Sequence, residues 1–188
     1  HKQLGIPIPN SVLFVRRRED FERMALRSDY FNREESTEPN PGLKSPPTTR
    51  PFAALSLVAS LLHQGTARVV DRLRAPLAAI RALADYIEGE ADVELCHRPE
   101  TGVLCFRITP PGVSEEQLDQ LQEYVYARIM AGGERSIAVT RLEGNTVLRL
   151  VAISPSMTQQ ALMVTISHVR AVAREYQMHP APRTDKTT

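Results

Sequence analysis

A lysine beside a histidine is the first pair in the sequence that could do chemistry. His1 and Lys2 precede a short apolar run, residues 11–15, which is partly β-branched and predicts a buried strand. Burial near such a strand favours the uncharged amine, and an uncharged lysine is a nucleophile towards carbonyl groups. Ordinary residues at a chain end would look the same, so the pair alone leaves both interpretations open.

Tyr30 is an aromatic residue in an unusually long polar segment. It lies near the start of residues 28–50, a polar, proline-rich stretch that is longer than ordinary connections. Such a stretch is expected to be a functional or a disordered loop, and a loop that closes over a site removes water from it. The alternative is an aromatic ring that fills the base of the loop.

Arg149 could bind a carboxylate. It stands between Leu148 and Leu150 in a predicted strand, so its side chain points away from the face that these leucines bury. The guanidinium could pair with an acid such as Glu143 on the solvent face. Equally, it could hold a ligand carboxylate through two parallel hydrogen bonds, a geometry that only arginine offers.

The two cysteines of the sequence do not predict a metal site. Cys96 and Cys105 lie on neighbouring predicted strands, and His97 follows the first of them. Two sulfurs and one imidazole are fewer ligands than a structural zinc site uses. Core packing is the expected role, and we predict no metal.

Composition excludes several classes of protein. The 188 residues are 42% hydrophobic and 24% charged, which is typical of a globular chain. A net charge of +1 and 5% aromatic residues provide neither a basic field nor many stacking side chains for nucleic acid. No apolar run is long enough for a membrane span. We therefore expect a soluble, cytoplasmic protein that binds neither nucleic acid nor membranes.

Hydrophobic periodicity predicts a β-β-α-β-β-α unit after a more helical first part. Helices are predicted over 16–27, from Thr48-Thr49 and Pro51 to Gln64, and over 66–88, 114–130 and 158–175. Strands are predicted over 93–96, 103–108, 137–142 and 146–153, the last two joined by a hairpin at 143–145. The order from residue 93 onward predicts an antiparallel sheet with helices on one face.

The change of period near residue 90 predicts a domain boundary. Residues 1–89 would be the end of a larger domain, residues 90–177 a small α+β domain, and residues 178–188 a flexible tail. Because the first part cannot bury itself alone, we expect the chain to belong to a longer polypeptide.

Several segments, in order, resemble the group II pyridoxal-phosphate (PLP) dependent amino acid decarboxylases. The His-Lys pair is followed nine residues after Lys2 by Ser11, as in that family, where the lysine forms a Schiff base with PLP. The remaining segments are Ser-Asp-Tyr-Phe-Asn at 28–32, Lys-Ser-Pro-Pro-Thr-Thr-Arg at 44–50, Val-Leu-Arg-Leu at 147–150 and Ser-Pro at 154–155 with Thr-Gln-Gln at 158–160. The run at 44–50 is most similar to the 2,4-diaminobutyrate decarboxylase branch.

The resemblance implies a fold, a reaction and a role for each residue. The fold would be α/β, fold type I and PLP-dependent transferase-like: the end of the large domain followed by an α+β C-terminal small domain. Lys2 would carry PLP, His1 would lie against it, and Tyr30 would protonate the substrate α-carbon. Arg149 would bind a substrate carboxylate, and Arg50 would anchor the loop or the dimer.

Partners and substrate also follow from the resemblance. The enzyme would be a homodimer with its active site at the subunit interface. It would act on 2,4-diaminobutyrate, glutamate or an aromatic amino acid, and it would need the N-terminal portion of the same enzyme for the remaining PLP contacts. Pro51 and Val58 depart from the family pattern and leave the branch open.

Two alternatives remain at this point. The first is a non-catalytic dimerisation or regulatory fragment that lacks a complete PLP site. The second is a PLP enzyme of a different reaction type.

Overall fold

The computed structural model describes residues 2–8, 10–25, 27, 30, 43 and 51–178. Their helices and strands, in chain order, are α1 (Arg18–Glu22), α2 (Ala54–Gln64), α3 (Thr66–Glu88), β1 (Val93–Leu95), β2 (Val103–Ile108), α4 (Glu115–Gly132), β3 (Ala138–Leu142), β4 (Asn145–Val151) and α5 (Gln159–Met178). The chain divides into two compact units that meet at Gly65. The described helices include none that is long and apolar enough to cross a membrane.

The second unit is a four-stranded antiparallel sheet covered by helices. The strand order is β1-β2-β4-β3, and α3, α4 and α5 supply the helical layer. Alternate residues of the central strands, such as Phe106 and Leu148, are fully buried in the core formed with these helices. The predicted β-β-α-β-β-α order and the antiparallel sheet are therefore confirmed.

Local sequence signals fix several element ends. Ser114 and Gln117 form the predicted capping box at the start of α4, where the Ser114 N–H donates to the Gln117 side chain at 3.2 Å. The hairpin between β3 and β4 turns on Glu143 and Gly144, whose φ angles are 51° and 89°. Two residues with positive φ form the type I′ turn that suits the twist of a hairpin, and glycine adopts this conformation at little cost.

Helix α4 completes the sheet where two strands separate. The pairing of β2 with β4 ends at Phe106 and Leu148, although Ile108 continues β2. There the fully buried Gln122 side chain accepts from the Ile108 N–H and donates to the Ile108 carbonyl, both at 2.9 Å. On the opposing strand, the Thr146 N–H donates to the Asp119 carboxylate at 2.8 Å. Side chains of a helix thus replace the missing ladder.

The predicted strand over 11–15 is wrong. These residues form no strand, and Val12, Leu13 and Phe14 are 52%, 69% and 89% exposed. A strand needs a neighbour for its backbone hydrogen bonds. Every strand in the described chain belongs to the sheet of the other unit, so no partner is available within this one.

The remaining predicted elements differ mainly at their ends. Helix α1 is shorter than the predicted 16–27, and α2 begins after Ala53 rather than at Thr48 and Thr49, which lie outside the described residues. By its internal contacts the described chain divides after Gly65, because α3 packs against α5 and the sheet. The predicted domain boundary near residue 90 stays a prediction. The assignment of residues 1–89 to a larger domain stays a prediction.

Candidate functional site

Arg149 lies on the face of the sheet that the helices leave uncovered. Its neighbours along β4, Leu148 and Leu150, face the helical layer, and the alternation of a strand sends Arg149 the other way, as predicted. The residues paired with it are small: Cys105 on β2 and Ala138 on β3.

The guanidinium of Arg149 has an Nε that no described residue accepts from. The side chain is half-buried, and its Nε is buried with no hydrogen-bond partner in the described part of the chain. No carboxylate among the described residues forms an ion pair with it. A buried N–H without an acceptor is costly, so a carboxylate would satisfy a donor that the described residues leave without a partner.

Arg107 is a second arginine on this face, and sequence analysis missed it. It is 5% exposed, and its terminal nitrogens contact Glu115 and Asp119 of α4 at 3.2 and 3.3 Å. Because the pairing of β2 with β4 ends at Phe106, the acidic side chains of α4 can contact the Arg107 guanidinium. The terminal nitrogens of Arg107 are thus paired with acids, whereas Arg149 forms no ion pair among the described residues, and the Nε of each arginine is buried without an acceptor there. The sequence does carry a signal for this residue. Arg107 lies between Phe106 and Ile108, and the alternation of side chains along a strand would have predicted that it lies on the same face as Arg149.

The cysteines flank the same face. Burial raises the pKa of Cys96 to about 11, with Glu94 and Cys105 contributing and Arg107 opposing. Burial also raises the pKa of Cys105, which Arg149 partly offsets. Across the described ranges no three His, Cys, Asp or Glu side chains form a group that could bind a metal.

Two of the other predicted site residues, Lys2 and Tyr30, are among the described residues, and Lys2 groups with the second unit. Lys2 is exposed in the turn at residues 2–5, and the Tyr30 side chain is 91% exposed. His1 and Arg50 lie outside the described residues. How Lys2 and Tyr30 are arranged with Arg149 stays a prediction.

The N-terminal unit contains an open, mainly apolar pocket of about 390 Å³. It is lined by the chain before α1 and the start of α2, including Ile8, Phe52 and Leu55. The Asn10 amide donates to the Ala53 carbonyl at 2.8 Å and to the Ser56 hydroxyl at 2.9 Å at its polar edge. These bonds tie the N-terminal segment to α2.

Comparison with curated proteins finds relatives named L-2,4-diaminobutyrate decarboxylase. The chain is 28% identical over 92% of its length to an L-2,4-diaminobutyrate decarboxylase from Acinetobacter baumannii, of which it covers 34%. The chain thus spans about a third of the length of the curated relatives it matches. No family model matches it.

Solved structures share the fold. The glutamate decarboxylase domain of a Vibrio parahaemolyticus diaminobutyrate-pyruvate transaminase and L-2,4-diaminobutyrate decarboxylase matches with a TM-score of 0.61 and 24% identity, over 68% of this chain and 27% of that one. Oryza sativa TDC with PLP and tryptamine matches with a TM-score of 0.63 and 21% identity, over 70% and 29%. These comparisons confirm the resemblance predicted from the sequence, and the chain has the α/β fold of the matched third of these decarboxylases.

Proposed function

We propose that this chain supplies part of the active site of a PLP-dependent decarboxylase that acts on an L-amino acid. In this proposal Lys2 attaches PLP through its amine, His1 lies beside the cofactor, Tyr30 donates a proton, and Arg149 binds a substrate carboxylate. Arg50 would brace the loop or the dimer. The observation that carries the proposal is the open guanidinium of Arg149, because it offers an anion a buried donor that no described residue uses.

Two described residues, Lys2 and Arg149, support these roles by their chemistry. An exposed lysine amine, as in Lys2, can reach an aldehyde, and Arg149 provides a fork for a carboxylate. When bound, PLP supplies an electron sink for the pair left behind by carbon dioxide. The chain would hold the substrate through Arg149 and deliver a proton to the α-carbon from the Tyr30 hydroxyl.

The substrate proposed first is 2,4-diaminobutyrate, followed by glutamate or an aromatic amino acid. The relatives named L-2,4-diaminobutyrate decarboxylase support this order. Since the chain spans about a third of their length, the remaining contacts to PLP would come from the rest of a longer protein. We further propose a cytoplasmic homodimer with its active site at the subunit interface.

Borohydride labelling of Lys2 tests the proposal. The protein, together with any further segment of its native polypeptide, is mixed with PLP, its absorption spectrum is recorded, and the complex is reduced before peptide mapping. We expect a yellow band and a reduced adduct on Lys2. A Lys44→Ala variant should give the same adduct, whereas Lys2→Ala should give none.

Two results would contradict this function. Folded protein that gives no band would favour a non-catalytic dimerisation or regulatory module. Labelling spread over Lys44 and Lys186 as much as over Lys2 would show ordinary surface amines reacting.

Replacing Arg149 with lysine should raise KM for the amino acid about tenfold and change kcat little. Lysine keeps the charge but loses the two-pronged hydrogen bonds, and charge-assisted bonds are worth about 1.5–3 kcal/mol each. Steady-state kinetics measure the effect, with Arg141→Lys on the exposed end of β3 as the matched control. Equal KM values for the two variants would contradict a role for Arg149 in substrate binding.

A further inference from the structure

The two cysteines of the chain face each other across adjacent strands. The pairing of β1 with β2 ends at Leu95 and Phe106, and Cys96 and Cys105 are the next residues. The Cys96 N–H donates to the Cys105 carbonyl at 3.0 Å, so the antiparallel alignment continues through them. Side chains of directly opposed residues leave the sheet on the same face, here the face that carries Arg149.

The expected spacing of this pair suits a disulfide. Opposed residues of an antiparallel ladder have Cα atoms about 4.5–5.5 Å apart. Disulfides join cysteines whose Cα atoms are about 4.4–6.8 Å apart. The charge of a Cys105 thiolate also contributes to the raised pKa of Cys96.

We propose that Cys96 and Cys105 form a redox-active pair that closes to an intramolecular disulfide by exchange with a low-molecular-weight disulfide such as oxidised glutathione. One cysteine thiolate attacks the glutathione disulfide and releases one glutathione thiolate. The second cysteine thiolate attacks the mixed disulfide and releases the other glutathione. The pair loses two electrons and two protons, and the glutathione disulfide takes up both to become two thiols.

Closing the pair would change the surroundings of Arg149. Strands β1 and β4 flank β2 on opposite sides. A bond to Cys96 therefore draws the Cys105 sulfur towards β1 and away from Arg149, which is paired with Cys105 from β4. We propose that oxidation thereby alters carboxylate binding by Arg149. This regulatory part rests on the proposed function, whereas disulfide formation does not.

Mass spectrometry of the folded protein after treatment with oxidised glutathione tests the pair. We expect the intact mass to fall by two hydrogen atoms, a Cys96–Cys105 crosslinked peptide under non-reducing conditions, and reversal by dithiothreitol. Cys96→Ser and Cys105→Ser variants should each retain one glutathionyl group on the remaining cysteine, because the resolving thiol is gone. Folding of the variants is checked by circular dichroism.

Three results would overturn the proposal. These are two glutathionyl groups on the wild type, a disulfide between two chains, or thiols that stay free in the native protein but react after unfolding in urea. The crosslink involves no PLP, so its failure and the failure of Lys2 labelling are separate results. A crosslinked enzyme with an unchanged KM for the amino acid would overturn the regulatory part alone.

The rate of closure should rise about tenfold between pH 7 and pH 8. Both pKa values lie above their ordinary range, so thiolate is scarce at pH 7 and increases with each unit of pH. Glu94 and Arg107 face Cys96 with opposite charges, and Arg149 faces Cys105. A rate that is independent of pH in this range would contradict attack by these thiols.

Discussion

Replacing Tyr30 with phenylalanine should lower the rate of decarboxylation about a hundredfold while leaving PLP bound. The substitution removes one hydroxyl and keeps the ring. In the proposed function that hydroxyl supplies the proton to the α-carbon, and positioned acids contribute about 10²–10⁴-fold to rate. Carbon dioxide release and the cofactor absorption band are measured on the same samples, so that the chemical step and cofactor binding are separated.

Tyr126→Phe is the matched control for this substitution. Tyr126 lies in α4 and packs against the core of the second unit, far along the chain from the proposed loop. Its variant should keep full activity. Equal losses of activity and of PLP in the Tyr30 variant would contradict a role in protonation and indicate that the ring supports the cofactor site. An unchanged rate of decarboxylation in the Tyr30 variant would mean that Tyr30 does not donate the proton.

Replacing Gln122 with methionine should lower the free energy of unfolding by about 3 kcal/mol. Methionine fills a similar volume but cannot bond the Ile108 N–H and carbonyl, which Gln122 satisfies on both sides at 2.9 Å. Each buried polar group left without a partner costs about 1–3 kcal/mol. Urea unfolding followed by circular dichroism measures the difference in the free energy of unfolding between the variant and the wild type.

Gln120→Met is the control, because Gln120 is exposed on the same helix two residues earlier. We expect it to unfold within about 0.5 kcal/mol of the wild type, as surface substitutions do. If the two methionine variants unfolded at similar urea concentrations, the stability of the separated ends of β2 and β4 would not depend on α4.

Local pattern predicted most of the second unit. The apolar stripe of 66–88 gave the full length of α3, and Ser114 with Gln117 marked the start of α4. These elements follow from periodicity and capping, which act over a few residues. The orientation of Arg149 followed from strand alternation for the same reason.

The local sequence pattern did not predict structural features that depend on residues far along the chain. Residues 11–15 have the composition of a strand, but composition does not say whether a neighbouring strand exists. Gln122 looks like a surface residue of a helix, yet it bonds a strand fourteen residues earlier. Arg107 gains its acidic partners in the same way. The roles of Lys2 and Tyr30 come from the resemblance and remain predictions.

The exposure of helix α2 affects which part of the chain contributes to thermal unfolding. None of its eleven residues is buried, and Ile6 is the only buried hydrophobic side chain before Val69 among the described residues. The apolar core lies entirely within residues 79–176. The heat-capacity change of unfolding scales with the apolar surface that becomes exposed. We therefore expect a calorimetric transition of this chain to report chiefly the sheet and its three helices, to which α2 adds little.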